Sequence, residues 1–527
     1  MSRNSIVSSL RQCGDAIAGR AIHARILAGG FIGDTFLANL LIQMYARCGS
    51  VGEARAVFDR LARKNLFSWT LMIAAYHDCG SSGDAILLFR AMALDGGSRP
   101  DAVLLVTVLG AVAAAGTLAL GEAIHAQIDA AGGDLDVFVG SALVSMYGRR
   151  GSVDHAAAAF DRIEERNIVA WNAMLTVYAQ AGDPAPVLQL AAAMDLEGLD
   201  FTDVSYICIL EACALLRSLP RARSIFQRAL ASGLIAVFPA VGNSAVDALA
   251  RCGGVEDARS AFESIDSKTV VSWTAMVAAY VQHGRGGDAI AIFRRMDLEG
   301  SKPNEVTMIN ILGACSAPED LARGRALSRR VLVSGHGGGV IVSNCLIGMY
   351  GRCGSSAEAL AIFAAIRERS TASWNAAIAA VAREGDWSRV FELHREMIGE
   401  GVAPDGITST LVLYACSHSG SVEQGCCYFT LLGQDFGIDR EEGHYSCLID
   451  MLGRAGRVRE AEEVIEEMPC PASFVASKAL LAACRTQSNV EVARNTFQLQ
   501  SESASYVLLS DLFRQLQRRR SPCKFCS

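Results

Sequence analysis

Residues 66–92 of the chain read LFSWTLMIAAYHDCGSSGDAILLFRAM, and this stretch decides the fold. Apolar residues of its first half recur at i, i+3, i+4 and i+7, as on one face of an α-helix: Trp69, Met72, Ile73 and Tyr76. A turn rich in glycine and serine follows, and a second apolar stripe starts at Ala85. Asp84 stands directly before that stripe, where we expect it to cap a second helix. The segment therefore predicts two short helices joined by a tight turn.

The same pattern recurs along the chain with a period near 102 residues. The recurring tryptophans are Trp69, Trp171, Trp273 and Trp374. The recurring glycines are Gly49, Gly151, Gly253, Gly354 and Gly456. The recurring phenylalanines are Phe58, Phe160, Phe262 and Phe363. Because three residue types keep one register, the chain is a tandem array.

Each long period divides into three units of 31 to 36 residues. The predicted order is a partial unit at 4–34, four triplets at 35–136, 137–238, 239–339 and 340–441, and a further unit at 442–472. An extension at 473–513 and a tail at 514–527 follow. A lone hairpin cannot bury its apolar stripe, so neighbouring hairpins must stack. We therefore predict an all-α fold, an α-solenoid of about fifteen helix–turn–helix hairpins.

Composition excludes several other classes of protein. The 527 residues are 51% hydrophobic and 20% charged, which excludes general disorder. The net charge of −7 argues against a generic basic nucleic-acid binder. The uncharged run from Ala102 to Gly121 is long enough to span a bilayer, but Gly110 and Gly116 interrupt it. We interpret the run as two buried helices and expect no membrane partner.

Cysteine usage and the N-terminus bear on the compartment. Seventeen cysteines, an odd number scattered over a long chain, indicate a reducing compartment rather than a disulfide scaffold. The first acidic residue is Asp15, so the N-terminus faintly resembles a transit peptide. The repeat pattern already runs through this segment, so no clear transit peptide is defined, and the sequence leaves open whether the chain is truncated.

The alternation of 31, 35 and 35–36 residues resembles the pentatricopeptide repeat family of plants, in its subclass of short, standard and long repeats. Short units carry the phrase LVSMYGRRGS at 143–152, and standard units open with Ser68-Trp69-Thr70. Long units contain GRAIHA at 19–24 and GEAIHA at 121–126. The block from Ser473 resembles the family's E-type extension in a degenerate form, with Ser477 at the usual tryptophan position. The resemblance implies a right-handed superhelix, and the deaminase domain of many relatives is missing.

The resemblance also implies single-stranded RNA as the partner, with one base contacted by each repeat. The fifth and last residues of a unit would contact the base edge. Those pairs here are Asn39/Asn65, Thr70/Asp101, Ser141/Asn167, Asn172/Thr202, Asn243/Thr269, Thr274/Asn304, Asn344/Ser370 and Asn375/Asp405. These side chains can donate or accept hydrogen bonds and so distinguish base edges. The alternative is that they are helix caps, which use the same residue types.

The family's code then predicts the RNA order 5′-Y-G-n-A-Y-n-Y-A-n-C-U-3′, where Y is a pyrimidine and n is an unread base. Long units place the apolar residues Val106, Ile207 and Ile309 at the fifth position, so we expect them to read bases poorly.

A zinc-deaminase signature is present only in fragments. His394-Arg395-Glu396 fits H-x-E, and Pro522-Cys523-Lys524-Phe525-Cys526 fits P-C-x-x-C. His394 occupies a position held by Phe89 in a sister unit, and the cysteine pair ends one residue before the terminus. We therefore predict no catalytic residue, no metal site and no cofactor, and we interpret His23 and His125 as packing residues.

The sequence as a whole predicts a protein that is not an enzyme and that binds organellar RNA, in the mitochondrion or the chloroplast. By resemblance its role is to specify cytidine-to-uridine editing sites, with a deaminase supplied in trans and docked through the E-like region. Three alternatives stay open: a protein-binding scaffold without RNA affinity, an RNA stability or splicing factor, and a truncated inactive copy.

Overall fold

A computed structural model describes residues 3–31, 34–95, 99–130, 136–333, 339–469, 474–487 and 489–498. Within these ranges the regular elements are helices, with no β-strand. The chain divides into two compact units, Met1–Lys268 and Thr269–Ser527. The predicted all-α solenoid is confirmed.

The first unit consists of paired helices joined by short turns. Its helices are α1 Arg3–Gln12, α2 Ala16–Ala28, α3 Thr35–Arg47, α4 Val51–Asp59, α5 Leu66–Asp78, α6 Ser82–Asp95, α7 Ala102–Ala115, α8 Leu118–Ala130, α9 Val137–Arg149, α10 Val153–Asp161, α11 Ile168–Gln180, α12 Pro184–Leu196, α13 Asp203–Leu215, α14 Leu219–Ala231, α15 Leu234–Val237, α16 Pro239–Arg251 and α17 Val255–Glu263.

The second unit repeats this construction. Its helices are α18 Val270–Gln282, α19 Gly286–Leu298, α20 Glu305–Leu312, α21 Leu321–Val333, α22 Val340–Arg352, α23 Ser356–Ala365, α24 Thr371–Glu384, α25 Trp387–Gly399, α26 Gly406–Ser419, α27 Val422–Gln434, α28 Glu442–Arg454, α29 Val458–Glu466, α30 Phe474–Gln487 and α31 Val490–Gln498. A 3-10 turn at Pro318–Asp320 precedes α21.

The turn inside the hairpins explains the glycine register. Gly49, Gly151, Gly253, Gly354 and Gly456 all have φ between 70° and 88°. This left-handed backbone disfavours residues with a Cβ, so glycine suits these five turns. The prediction that Asp84 caps the second helix is wrong, because α6 begins at Ser82 and Asp84 lies in its first turn. A negative charge in the first turn still interacts favourably with the helix dipole.

Two layers of helices form within each unit. The first helices of successive hairpins pack on one another, as α3 on α5, α5 on α7 and α22 on α24. The second helix of a hairpin packs on its own first helix and on the first helix of the next hairpin, as α6 does on α5 and α7. Within each unit, one layer of first helices therefore presents the starts of its hairpins along one edge.

Aromatic contacts between neighbouring hairpins account for the shared register of tryptophan and phenylalanine. The rings of Phe58 and Trp69 meet edge to face with centroids 4.9 Å apart, and those of Phe160 and Trp171 do so at 5.2 Å. Each pair joins the second helix of one hairpin to the first helix of the next. The two residue types must therefore repeat together.

The uncharged run from Ala102 to Gly121 forms α7 and the start of α8, with a break at Gly116 and Thr117. The interpretation as two helices is confirmed. Among the described residues no helix combines the length and the apolarity that crossing a bilayer requires.

Candidate nucleic-acid interface

In the four triplets the last residue of each short and standard unit is an N-cap. These residues are Asn65, Asp101, Asn167, Thr202, Thr269, Asn304, Ser370 and Asp405. In every one the side-chain oxygen accepts a backbone N–H from the first turn of the following helix. The alternative interpretation of these positions as caps therefore holds for their structure, and any contact with a ligand must use the atoms that capping leaves free.

The fifth residue lies one turn into the first helix of its own hairpin. Asn39, Ser141, Thr274 and Asn375 are buried, with exposed fractions between 5% and 9%. Thr70, Asn172, Asn243 and Asn344 are half-buried. Burial of so many short polar side chains means that their hydrogen-bond partners determine what they present to solvent.

Two pairs are joined by a direct hydrogen bond. Asn172 donates through Nδ2 to Thr202 Oγ1 at 2.9 Å. Asn375 donates through Nδ2 to both carboxylate oxygens of Asp405, at 2.9 and 3.1 Å. These contacts span 30 residues of chain, so the fifth and last positions of a unit lie side by side.

Two further pairs are connected through a hydroxyl of the next helix. Ser68 Oγ lies 2.8 Å from both Asn39 Oδ1 and Asn65 Oδ1. Thr307 Oγ1 lies 2.6 Å from Thr274 Oγ1 and 2.7 Å from Asn304 Oδ1.

The remaining pairs bond elsewhere. The hydroxyls of Thr70 and Ser141 donate to backbone carbonyls of their own helices, Leu66 and Val137. Ser370 bonds to Ser373 rather than to Asn344. Asn243 lies in the first unit and Thr269 in the second.

Asp405 carries the most strongly held carboxylate of these sites. Burial by itself raises the pKa of Asp405. Hydrogen bonds from Thr408, Asn375 and Ile407 lower it by a larger amount, so the net pKa lies below its usual value. The carboxylate is therefore ionised at neutral pH and can only accept hydrogen bonds.

Sequence reasoning missed two features of this edge. The first is a hydroxyl at the third residue of the following helix, which bonds to the fifth-position side chain of the preceding unit. Ser68, Ser205, Thr307 and Thr408 play this part. A serine or threonine three positions after six of the eight caps, all but Asp101 and Asn167, was the available signal, since that spacing is typical of a capping box.

The second feature is an exposed apolar side chain at the second residue of the first helices. These side chains are Phe36, Phe67, Val103, Phe138, Val169, Val204, Val271, Val306, Ile341, Ile407 and Val475, exposed by 37% to 65%. They lie outside the buried apolar stripe of their helices, and this position could be recognised from the sequence. Apart from Val475, each one lies on its helix two residues after one of the caps named above or three residues before one of the fifth-position side chains, and it provides a surface on which a flat apolar ring can pack.

One fragment of the zinc signature, His394, lies within the described residues, and packing explains it. His394 is buried, and its Nε2 lies 3.1 Å from the hydroxyl of Tyr428. Burial lowers the pKa of His394. His23 and His125 pair in the same way with the hydroxyls of Tyr45 and Tyr147, at 3.0 and 2.9 Å.

Pro522, Cys523 and Cys526 lie outside the described residues. Within the described ranges no three His, Cys, Asp or Glu side chains are grouped as metal ligands would be.

Comparison with known proteins defines the class to which this architecture belongs. Family models described as PPR repeat match residues 36–66, 67–96, 141–168, 169–198, 341–370, 372–402 and 436–469, and the model described as PPR repeat family matches 268–317. The chain belongs to the pentatricopeptide repeat family.

Relatives align over almost the whole chain. A chloroplastic pentatricopeptide repeat-containing protein of Arabidopsis thaliana is 34% identical over 513 residues, which are 96% of this chain and 63% of the relative. A mitochondrial one from the same plant is 30% identical over 550 residues, covering 97% of this chain and 81% of the relative. The chain thus spans less than two thirds of the first of these relatives.

Solved structures share the fold. The crystal structure of the maize pentatricopeptide repeat protein PPR10 aligns with a TM-score of 0.55 and 18% identity, covering 98% of this chain and 87% of PPR10. PPR10 in complex with an 18-nt psaJ RNA element aligns with a TM-score of 0.51 and 20% identity, covering 96% of this chain and 76% of that one. At these identities the likeness shows the fold alone.

Proposed function

We propose that this chain binds single-stranded RNA with sequence preference, along the edges that the starts of the first helices form within each of its two units. The observation that carries the proposal is the recurrence of one arrangement. A fifth-position polar side chain, a capping side chain and an exposed second-position apolar side chain stand together in unit after unit. An unpaired base offers both a hydrogen-bonding edge and a flat face, which suits such an arrangement.

Membership of the family supports this proposal, and so does the crystal structure of PPR10 in complex with an RNA element. Relatives named chloroplastic or mitochondrial support an organellar location for the RNA. The eight coordinated pairs then correspond to the order 5′-Y-G-n-A-Y-n-Y-A-n-C-U-3′, which is part of the proposal.

The proposed role extends to specifying cytidine-to-uridine editing sites, without catalysis by this chain. The assignment to the subclass of short, standard and long repeats supports it, since that subclass is associated with editing. The helices α30 and α31 lie in the stretch that resembles an E-type extension, and in this proposal they would dock a deaminase supplied in trans. A role in RNA stability or splicing is the alternative that a genetic test would distinguish from editing.

Selection from a random RNA pool tests RNA recognition. The purified chain is expected to enrich the proposed order, and exchange of Asn375/Asp405 for Thr/Asn is expected to change the enriched base only at the last position. A pool without enrichment, together with saturable binding of a protein, would instead support the scaffold.

A genetic experiment tests the editing role. Plants lacking the protein are expected to lose C-to-U conversion at a matching transcript site. Altered transcript abundance or splicing with intact conversion would contradict that role.

A further inference from the structure

The long unit of the fourth triplet differs from its sister units at two positions of its first helix, α26. Its fifth residue is Thr410, and the sister units have Val106, Ile207 and Ile309 there. Its ninth residue is Tyr414, and the sister units have Gly110, Glu211 and Gly313 there. A large aromatic ring therefore stands where the other long units have glycine or glutamate.

The space over the ninth position is filled in two of the sister units. A Cβ on Gly110 would lie 3.1 Å from Nε2 of His77, which belongs to the neighbouring first helix α5. A Cβ on Gly313 would lie 2.8 Å from Cγ1 of Val281, on α18. The equivalent residue of α24 is Ala382, whose small side chain leaves room for a ring on α26. The fourth triplet has thus exchanged a covered glycine for an uncovered aromatic ring.

Tyr414 belongs to a cluster of three aromatic side chains. Its ring centroid lies 4.1 Å from that of His418 on the same helix. The indole of Trp387, the first residue of α25, lies 5.4 Å from His418 and 6.0 Å from Tyr414. The sister standard units have Ser82, Pro184 and Gly286 in place of the tryptophan. By residue type, the combination therefore occurs in the fourth triplet alone.

The cluster lines a groove of about 640 Å³ between α24 and α26, which Thr410 and Arg383 also line. Tyr414 is 43% exposed. Arg383 is exposed and makes no ion pair with another described residue. The acidic side chain beside it, Glu384, accepts hydrogen bonds from the N–H and the hydroxyl of Ser356, at 2.5 and 2.6 Å. The groove thus offers an open aromatic face next to an unpaired positive charge.

The groove continues the edge on which the proposed function places RNA. Asn375 and Arg383 lie eight residues apart and so share one face of α24. Thr410 and Tyr414 lie four residues apart and share one face of α26. The pair Asn375/Asp405 corresponds to the last nucleotide of the proposed order. The next nucleotide toward the 3′ end would therefore come to α26 and to the groove.

We propose that this groove binds the base of one further nucleotide, immediately 3′ of the proposed order, by stacking on the ring of Tyr414. A stacked base offers its flat face rather than its edge, so the contact accepts all four bases. Arg383 attracts the phosphate of the same nucleotide. The fourth long unit therefore holds a nucleotide by shape, where the short and standard units read a base by hydrogen bonds. The inference rests on the proposed function.

The test compares RNAs that differ in one base. Dissociation constants are measured for the whole chain with an RNA of the proposed order, and with the same RNA extended at its 3′ end by one nucleotide that either carries a base or is abasic. The wild type is expected to bind the RNA with the added base about tenfold more tightly than the abasic one, whichever of the four bases is used. Tyr414→Ala is expected to reduce this difference to within about twofold, and Tyr414→Phe, which keeps the ring, to retain it.

Two controls separate stacking from other effects. The wild type and Tyr414→Ala are expected to bind the unextended RNA equally, because no base of that RNA reaches the groove. This equality also shows that the variant is folded. Arg383→Gln is expected to weaken binding of both extended RNAs by the same few-fold factor, because the added phosphate is present in both.

The outcomes distinguish this inference from the proposed function. A wild type that binds the unextended RNA but gains nothing from the added base overturns the groove site, as does a Tyr414→Ala chain that keeps the gain. A gain confined to one of the four bases overturns stacking as its cause. A wild type that binds no RNA of the proposed order overturns the proposed function, and the inference with it.

Discussion

The phenyl ring of Phe363 packs edge-on against the indole of Trp374, with ring centroids 4.7 Å apart and planes inclined by 70°. The two residues belong to different hairpins, since Phe363 lies on α23 and Trp374 on α24. This contact buries Trp374 completely and ties one hairpin to the next. Because equivalent pairs recur, cohesion between hairpins depends on an aromatic contact that a single hairpin cannot make.

Trp374→Ala is expected to destabilise the second unit by about 3–5 kcal/mol, since the truncation leaves a large cavity at a hairpin junction. Urea unfolding followed by circular dichroism measures the change. Leu298→Ala is the control, because Leu298 is 88% exposed and its loss should change the unfolding free energy by less than about 0.5 kcal/mol. Equal effects of the two variants would contradict the role of the aromatic contact.

Arg352 joins two first helices by capping carbonyl groups. Its Nε and NH2 donate to Cys315 O and Leu312 O, at 3.4 and 3.2 Å, near the end of α20. Arg352→Met keeps the aliphatic stem but removes these donors, and we expect a loss of about 1–3 kcal/mol in the unfolding free energy.

Arg454→Met is the matched control. Arg454 occupies the same position in its hairpin but pairs only with Asp450 of its own helix, at 2.8 Å. Such an exposed pair is worth at most about 0.5 kcal/mol. Denaturant midpoints that shift as much for Arg454→Met as for Arg352→Met would show that the carbonyl contacts add nothing.

His394 makes stability depend on pH. Burial lowers the pKa of His394 from its ordinary value of 6.5. The unfolded chain therefore takes up a proton before the folded one does, and stability is lost as pH falls from about 6.5 through the folded pKa. His394→Phe, the residue that sister hairpins carry, should flatten thermal stability between pH 7 and pH 5 relative to the wild type. His23 and His125, whose pKa values are also lowered by burial, leave a smaller slope in the variant.

Thiol reactivity should follow burial. Burial raises the pKa of Cys213, Cys315 and Cys416 to about 11, so these thiols are protonated and covered in the folded chain. Cys79 and Cys427 are exposed. Mass spectrometry after brief alkylation at pH 8 should find the two exposed cysteines labelled and the three buried ones labelled only in denaturant. Early labelling of Cys416 in the folded chain would disagree with this packing.

The exposed apolar residues should matter for RNA and not for folding. Ile407 is 63% exposed at the second position of α26, beside the cap Asp405. Ile407→Ala is expected to weaken binding of the ordered RNA several-fold while the melting temperature stays unchanged, because the lost contact is with the ligand. Leu298→Ala removes a still more exposed apolar side chain, 88% against 63%, from a second helix and should leave the affinity intact. Equal affinity of both variants would remove the second position from the interface.

The helical hairpins and their tandem repetition could be predicted from the sequence because their causes are local. The spacing of Trp69, Met72 and Ile73 specifies a helical face, and glycines such as Gly151 mark a left-handed turn that other residues disfavour. The prediction of a cap at Asp84 was wrong by a few residues, because several small polar residues in that turn can start a helix.

The candidate pairs illustrate where local reasoning ends. The choice of polar residues at the fifth and last positions is readable from the repeat register, and the structure brings Asn172 to Thr202 and Asn375 to Asp405. It does not join Asn344 to Ser370 in the same way, although the residue types are nearly those of Asn172/Thr202.

The sequence by itself thus determined the repeat, its family and the kinds of side chain at the recognition edge, because these follow from periodicity within and between hairpins. Only the tertiary structure decided which amide oxygen accepts a hydrogen bond, that of Asn172, and which has no partner among the described residues, that of Asn344. The hydroxyl of Ser205, from the following hairpin, donates to Asn172 Oδ1, whereas Ser373 in the equivalent place bonds to Ser370. Hydrogen bonds are short-ranged and directional, so identical residue types in the same register can still present different atoms to a ligand.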